Sequence, residues 1–86
     1  MREYTVVYLS DAAEELASIW EESAEKSAVA RAANQADRIL AVAPRDQSVF
    51  LGEDLWRLEV KPLRFYFAIR EADRLVEVSN LVRVVE

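Results

Sequence analysis

Three arginines are spaced so that they could bind phosphate together. Arg57, Arg64 and Arg83 lie in residues 55–85, where apolar and polar side chains alternate in three runs. Strict alternation puts successive side chains on opposite faces of a strand. The three guanidinium groups are therefore predicted to share the polar face of a sheet with Tyr66. Guanidinium groups make bidentate contacts to phosphate and can stabilise charge at phosphorus, as RNA cleavage through the 2′-hydroxyl requires.

General acid–base groups are scarce beside these arginines. The chain has no histidine and no cysteine, which excludes an imidazole base, a thiolate metal site and a disulfide framework. A tyrosine such as Tyr66 ordinarily has a pKa near 10 and is a poor general base without strong tuning. No spacing of Asp, Glu or Asn suggests a metal site, and we expect neither a metal nor another cofactor.

The elements that must position the arginines follow from the same alternation. Breaks at Lys61-Pro62 and at residues 71–73 divide the stretch into three strands, which predicts an antiparallel meander. Its inner face is predicted to carry Trp56, Leu58, Val60, Leu63, Phe65, Phe67, Ile69, Val76, Val78, Val82 and Val84. Its polar face could hold pairs such as Arg57 with Glu59 or Arg64 with Glu77, in which case the arginines would be simple surface charges.

One strand and two helices are predicted before the meander. Residues 4–9 are rich in β-branched and aromatic side chains, which favours a strand. The first helix is predicted from Asp11, with Glu14 as partner in a capping box, to about residue 23. Its apolar stripe is predicted to comprise Ala13, Leu16, Ala17 and Trp20, with Ile19 flanking. Trp20 and Trp56 are both predicted to lie in the core.

The second helix is predicted to be rich in inward-facing alanine. It should run from Ala28 to Val42, with Ser27 as a possible N-cap and Pro44 just beyond its end. Residues 44–54 are predicted to be irregular. The order is strand, helix, helix and three strands, which predicts an α+β fold (β-α-α-β-β-β) with a helical hairpin on one face of an antiparallel sheet.

Composition sets the class of protein. The 86 residues are 52% hydrophobic, which predicts one domain over residues 1–86. A net charge of −5 argues against indiscriminate nucleic-acid binding. No apolar run approaches the roughly 20 residues of a membrane helix, and no signal peptide is evident. We therefore expect a cytoplasmic protein that does not bind membranes.

This order of elements resembles the RelE/ParE superfamily, the toxins of type II toxin–antitoxin modules. The resemblance rests on the Leu-x-x-Ile-Trp run at residues 16–20, the alanine-rich helix ended by a proline, and the arginines within Trp56-Arg57-Leu58-x-Val60, Leu63-Arg64-Phe65-x-Phe67 and Val82-Arg83-Val84. It implies a small sheet backed by a helical hairpin, and an antitoxin that wraps the toxin. The long hairpin and the Ile-Trp pair look more ParE-like than RelE-like.

The resemblance implies two possible targets. RelE-like toxins cut mRNA in the ribosome, and ParE-like toxins poison DNA gyrase. Arg57, Arg64 and Arg83 match basic positions of the nucleases, with Tyr66 beside them, but Glu59 replaces a second basic residue and the C-terminal tyrosine has no counterpart. We therefore expect a gyrase-binding toxin neutralised by a cognate antitoxin.

Two alternatives stay open beside that expectation. One is a ribosome-dependent mRNA endoribonuclease that uses Arg57, Arg64, Arg83 and Tyr66. The other is a non-toxic member that retains only partner binding. The exposed edges of the sheet and of the hairpin predict a partner surface. Either a homodimer or a heterotetramer with the antitoxin would cover it.

Overall fold

The computed structural model describes residues 3–84, which form two helices and five strands. Neither helix in this range is long and apolar enough to cross a membrane. In chain order the elements are β1 (Thr5–Tyr8), α1 (Ser10–Glu22), α2 (Lys26–Val42), β2 (Val49–Gly52), β3 (Leu55–Val60), β4 (Leu63–Arg70) and β5 (Leu75–Arg83), with a 3₁₀ turn at Glu71–Asp73 before β5.

The five strands form one mixed sheet in the order β1-β5-β4-β3-β2. Strands β2, β3, β4 and β5 pair with one another in antiparallel fashion. Strand β1 runs parallel to β5, with Thr5 opposite Leu75 and Tyr8 opposite Val78. Both helices pack on one side of the sheet, and we call the other side the open face. The predicted α+β fold with a helical hairpin is confirmed, but the sheet is mixed and not wholly antiparallel.

Strand β2 lies inside the segment that was predicted to be irregular. It pairs with β3 through a two-residue turn, in which Glu53 and Asp54 have φ angles of 51° and 65°. Positive φ at both central residues is what a type I′ hairpin requires, and Asn-Gly is its usual sequence signal. The Glu-Asp pair lacks that signal, which is why the alternation alone did not predict the strand.

The core lies between the helices and the inner side of the sheet. Helix α2 buries Val29, Ala32, Ala36 and Leu40, as its alanine-rich pattern predicts. These small side chains let the helix approach the sheet closely. The fully buried sheet residues opposite them are Leu58, Leu63, Phe65, Phe67, Val76, Val78 and Leu81.

Helix α1 is rotated relative to the predicted stripe. Ala12 is buried and Leu16 and Ile19 are half-buried, whereas Trp20 is 44% exposed. The rotation follows from the packing of α1 across β5, where the Glu15 carboxylate accepts a hydrogen bond from the Leu81 N–H at 2.8 Å. A glutamate therefore occupies an inward position, and the prediction that Trp20 lies in the core is wrong.

The predicted helix caps are also wrong. Leu9 holds the N-cap position of α1 and Glu25 that of α2, and neither donates or accepts a side-chain capping bond. The end of α1 is stabilised instead by Lys26, whose Nζ donates to the carbonyl oxygens of Glu21 and Ser23 at 3.1 Å each. A lysine at this position also complements the negative end of the helix dipole.

A bulge in β5 changes which side chains face the core. Tyr66 lies opposite Asn80 while the next residue, Phe67, lies opposite Val78, so Ser79 is an extra residue in the ladder. An extra residue reverses the alternation beyond it. Leu81 is consequently buried and Val82 is 40% exposed. The predicted inward orientation of Val82 is wrong for this reason, because Val82 is turned to the open face. Val84 lies just past the end of the strand and is half-buried.

Candidate functional site

The open face brings together Arg57, Arg64 and Tyr66, as the alternation predicted. Arg57 lies opposite Tyr66, and Tyr66 lies opposite Asn80 on β5. Directly opposed residues of antiparallel strands share a face and have closely spaced Cβ atoms. One row across three strands therefore presents a guanidinium, a phenol and an amide to solvent, with Arg64 in the next row.

Arg64 is engaged by a neighbouring carboxylate. Its Nε and Nη2 donate to one oxygen of Glu59 at 3.0 and 2.8 Å, and Glu59 lies opposite it in the ladder. Hydrogen bonding to Glu59, and secondarily to Tyr66, raises the pKa of the Arg64 guanidinium. The Glu59 carboxylate on the open face therefore already occupies the Arg64 guanidinium.

Arg83 does not lie on the open face. It is opposite Leu63, which is fully buried on the helix side, and it lines a groove with α1 residues such as Glu14 and Ser18. The bulge at Ser79 causes this placement, because without it Arg83 would alternate outward. The prediction that three arginines share one face is wrong for Arg83 and correct for Arg57 and Arg64.

A second ion pair lies on the open face, near the 3₁₀ turn. Arg70 Nε donates to Glu77 Oε1 at 3.1 Å. The alternation had made Glu77 a candidate partner of Arg64. The strand register instead pairs Glu77 with Arg70 and Glu59 with Arg64. Exposed pairs of this kind add little stability. Their effect on the open face is to reduce its net positive charge.

A polar cluster around the 3₁₀ turn was not predicted. Glu71 accepts a hydrogen bond from the Tyr4 hydroxyl. It also forms ion pairs with two arginines: Arg45 Nη2 lies 2.9 Å from Glu71 Oε1, and Arg74 Nη1 lies 3.6 Å from Glu71 Oε2. The Arg74 guanidinium also lies over the Tyr4 ring, and that of Arg45 lies over Trp56. Hydrogen bonds from Tyr4 and then Arg45 hold the pKa of Glu71 below its usual value. The cluster joins β1, the loop after α2 and the 3₁₀ turn.

An apolar groove of about 660 Å³ lies between the two helices. The exposed ring of Trp20 forms one wall, and Ala13, Leu16, Ala17, Ala30 and Ala33 are among the lining residues. At its base the Tyr8 hydroxyl donates to Asp37 at 2.7 Å. Burial, and then the hydrogen bond to Asp37, raise the pKa of Tyr8. We call this surface the hairpin groove.

Metal binding has no evident place in the part of the chain that the structure describes. Within residues 3–84, no three His, Cys, Asp or Glu side chains are grouped so that they could hold an ion. The chemistry available on the open face is therefore that of guanidinium, phenol, amide and carboxylate groups.

Solved structures identify the fold. The chain superposes on a chain of the toxin–antitoxin complex RelBE2 from Mycobacterium tuberculosis with a TM-score of 0.84, covering 100% of this chain and 97% of that one at 16% identity. The protein has the RelE/ParE fold. The resemblance predicted from the sequence is thus confirmed at the level of the fold. No protein-family profile matches the sequence, and no curated protein matches it.

The RelE/ParE fold is shared by toxins of both kinds. A chain of the chromosomal ParDE system of Pseudomonas aeruginosa matches with a TM-score of 0.70 at 14% identity, covering 95% of this chain and 97% of that one. The isolated RelE toxin of Escherichia coli also matches with a TM-score of 0.70, at 12% identity, covering 96% and 86%. Overall shape therefore fits both kinds, and the target must be argued from the side chains.

Proposed function

We propose that this chain is the toxin of a toxin–antitoxin module, neutralised by a cognate antitoxin, and that it acts in the cytoplasm by binding DNA gyrase. The RelE/ParE fold supports the first part, since the solved neighbours include the RelBE2 complex and the ParDE system. Residues 1–86 would act as one domain, with inhibition of growth as the outcome.

The pairing of Arg64 with Glu59 carries the argument for binding over cleavage. A nuclease needs guanidinium groups that are free to stabilise charge at phosphorus. Here the central arginine donates twice to a carboxylate oxygen, and Arg83 faces the helix side. A carboxylate at the centre of the open face would repel a phosphodiester, whereas an alternating pattern of charges suits a protein surface.

The hairpin groove supports an antitoxin as partner. Exposed tryptophan and alanine side chains line it, and an apolar groove of this size can accept the apolar face of an amphipathic helix. Placing an arginine at Ala17, which is exposed in the groove, should prevent neutralisation without harming the fold. Ala24→Arg, at an exposed position outside the groove, is the matched control.

Gyrase binding is tested with the purified protein and by expression in cells. The proposal expects inhibition of DNA supercoiling by gyrase, an induced DNA-damage response on expression, and relief by the neighbouring reading frame. Ribosome-bound mRNA should stay intact. Site-specific mRNA cleavage by the pure protein, with gyrase unaffected, would contradict the proposal.

A ribosome-dependent mRNA endoribonuclease is the second candidate. The opposition of Arg57 and Tyr66, with Arg64 in the next row of the same face, favours it. Arg57→Ala and Tyr66→Phe should then abolish growth arrest, while Arg70→Ala on the same face should not. If expression of the wild-type chain causes no growth arrest at all, the chain would be the remaining alternative, a non-toxic protein that retains only partner binding.

A further inference from the structure

In the part of the chain that the structure describes, three arginines are half-buried, and one of them lacks a carboxylate partner. Arg64 pairs with Glu59, and Arg74 pairs with Glu71. Arg57 is half-buried as well, yet its guanidinium makes no hydrogen bond or ion pair with any described residue. Partly buried charges are usually paired, because losing water without gaining a partner is costly. The Arg57 guanidinium therefore has unused capacity to bind an anion.

The carboxylates of the open face are already bound to other arginines. Glu59 lies two residues from Arg57 on the same face of β3, but its carboxylate accepts both hydrogen bonds from Arg64. Glu77 accepts from Arg70 in the same way. Strands β3 and β4 place three arginines on the open face, and of these three only Arg57 is available to an anion from another molecule.

The side chains around Arg57 are apolar, aromatic or amide-bearing. Val49 lies opposite it on β2 and is 48% exposed. Tyr66 lies opposite it on β4, and Asn80 follows in the same row on β5. Leu55 precedes it by two residues and shares its face of β3. The guanidinium thus has apolar surface on one side and a phenol and an amide on the other, which is a suitable environment for contact with a protein.

We propose that Arg57 binds one aspartate or glutamate side chain of the target protein, and that apolar residues beside this acid contact Val49 and Tyr66. Arginine and tyrosine are enriched at the hot spots of protein interfaces, and a guanidinium can hold a carboxylate through two parallel hydrogen bonds. One unpaired guanidinium matches one carboxylate, whereas a nucleic-acid strand binds through several cations and would meet the charge of Glu59. The inference rests on the proposed function in that the target is a protein, but it does not require gyrase.

The Arg57 site is separate from the hairpin groove. That groove lies between the two helices, which pack on the opposite side of the sheet from the open face. A partner bound between the helices therefore does not touch Arg57. Loss of target binding can accordingly be measured apart from loss of antitoxin binding, because the two partners use different sides of the sheet.

The first test is an NMR titration of the ¹⁵N-labelled full chain with a short, end-blocked peptide that carries one aspartate between leucines. The expected result is a shift of the Arg57 Nε–H signal and of the amides of Val49, Tyr66 and Asn80. A peptide with asparagine in place of aspartate should bind about tenfold more weakly. Equal responses to both peptides, shifts along the hairpin groove instead, or no response at millimolar peptide would each overturn the proposal.

Two variants of the open face separate a specific contact from the effect of net charge. Arg57→Gln removes the unpaired guanidinium and should weaken binding of the aspartate peptide about tenfold. Arg70→Gln removes the same charge from the same face, where the guanidinium is already paired with Glu77, and should leave binding unchanged. Equal weakening by both variants would overturn the proposal. An oligouridine of the same length that binds the wild type more tightly than the peptide at physiological salt would also overturn it, in favour of a nucleic-acid site.

Thermal unfolding distinguishes a recognition residue from a structural one. The Arg57 guanidinium has no partner in the described chain that Arg57→Gln would leave unpaired. We therefore expect the melting temperature of Arg57→Gln to equal or exceed that of the wild type, as is common where a residue is kept for function at a cost in stability. A fall of about 4 °C or more would show that Arg57 supports the fold, and would overturn the proposal.

Cellular and gyrase assays separate the failure of this inference from the failure of the proposed function. Arg57→Gln should cause no growth arrest and should still bind the product of the neighbouring reading frame, whereas Arg70→Gln should arrest growth as the wild type does. If Arg57→Gln inhibits DNA supercoiling as strongly as the wild type, the inference fails and the proposed function stands. If the wild type leaves gyrase unaffected while the peptide results hold, the assignment of gyrase fails and the inference stands.

Discussion

Neutralising Glu59 should turn the open face into a surface that binds polyanions. Arg64 donates two hydrogen bonds to one oxygen of Glu59, so Glu59→Gln removes the charge that holds the guanidinium and keeps a side chain of the same shape. Arg57 lies one row away. The face would then offer two arginines to phosphate, where the wild type offers two arginines offset by one carboxylate.

The expected magnitude follows from counterion release. Each phosphate contact to a single strand contributes a slope of about 0.7 in log K against log salt. One net positive charge therefore predicts that binding weakens about 2.6-fold when the salt concentration rises fourfold. Two charges predict about sevenfold weakening for the same rise. The variant should accordingly bind more tightly at low salt and show about twice the slope.

Fluorescence anisotropy of a labelled oligouridine over a series of salt concentrations measures both quantities. Glu22→Gln, which makes the same charge change on α1, is the control and should leave the slope as in the wild type. Adding Arg64→Gln to Glu59→Gln should cancel the gain. An unchanged slope in Glu59→Gln, or an equal increase in the Glu22 control, would show that Glu59 does not restrain Arg64.

Three further predictions concern stability and are measured by denaturant unfolding. Leu58→Ala should lower the free energy of unfolding by about 2–5 kcal/mol because Leu58 is fully buried, whereas Leu51→Ala, at an exposed site, should change it by roughly 0.5 kcal/mol or less. Tyr8→Phe should cost roughly 1–2 kcal/mol, since it leaves Asp37 without its 2.7 Å donor; no loss would mean that water replaces the hydroxyl. The folded pKa of Glu71 is lowered from 4.5 by Tyr4 and Arg45, so its contribution is complete above pH 4.5 and lost as the pH falls through the lowered value. Glu71→Gln should therefore lose stability at neutral pH and show a smaller fall on acidification, and parallel pH profiles of variant and wild type would contradict this.

Period-two alternation predicted β3 and β4 well because both strands bury one face completely. Leu58, Phe65 and Phe67 are almost inaccessible to solvent, and a buried face fixes register strongly. The same reasoning failed in β5, where Ser79 is inserted as a bulge. In the sequence, a polar residue at a bulge looks the same as a polar residue that faces solvent at a regular strand position. The single extra residue Ser79 therefore placed Arg83 on the opposite face from the predicted one.

The helices illustrate a different source of error. In α1, the apolar residues fit two neighbouring stripes, one with Ala13 and Trp20 and one with Ala12 and Ile19. Tertiary packing selects the second, because Glu15 reaches Leu81 from the inward side. The first stripe became the hairpin groove. Similarly, the cluster around Glu71 joins residues from distant parts of the chain, and no local pattern could have predicted it.

The parallel pairing of β1 with β5 has a consequence for synthesis of the chain. Within the described residues, β1 has no other strand neighbour, and its partner residues begin at Leu75. While the ribosome is still synthesising α2 or β3, β5 does not yet exist, and β1 has no strand to pair with. Such distant pairings form late and slowly. Most of the polypeptide must therefore have emerged before the sheet can close, which leaves the growing chain open to capture by other molecules throughout its translation.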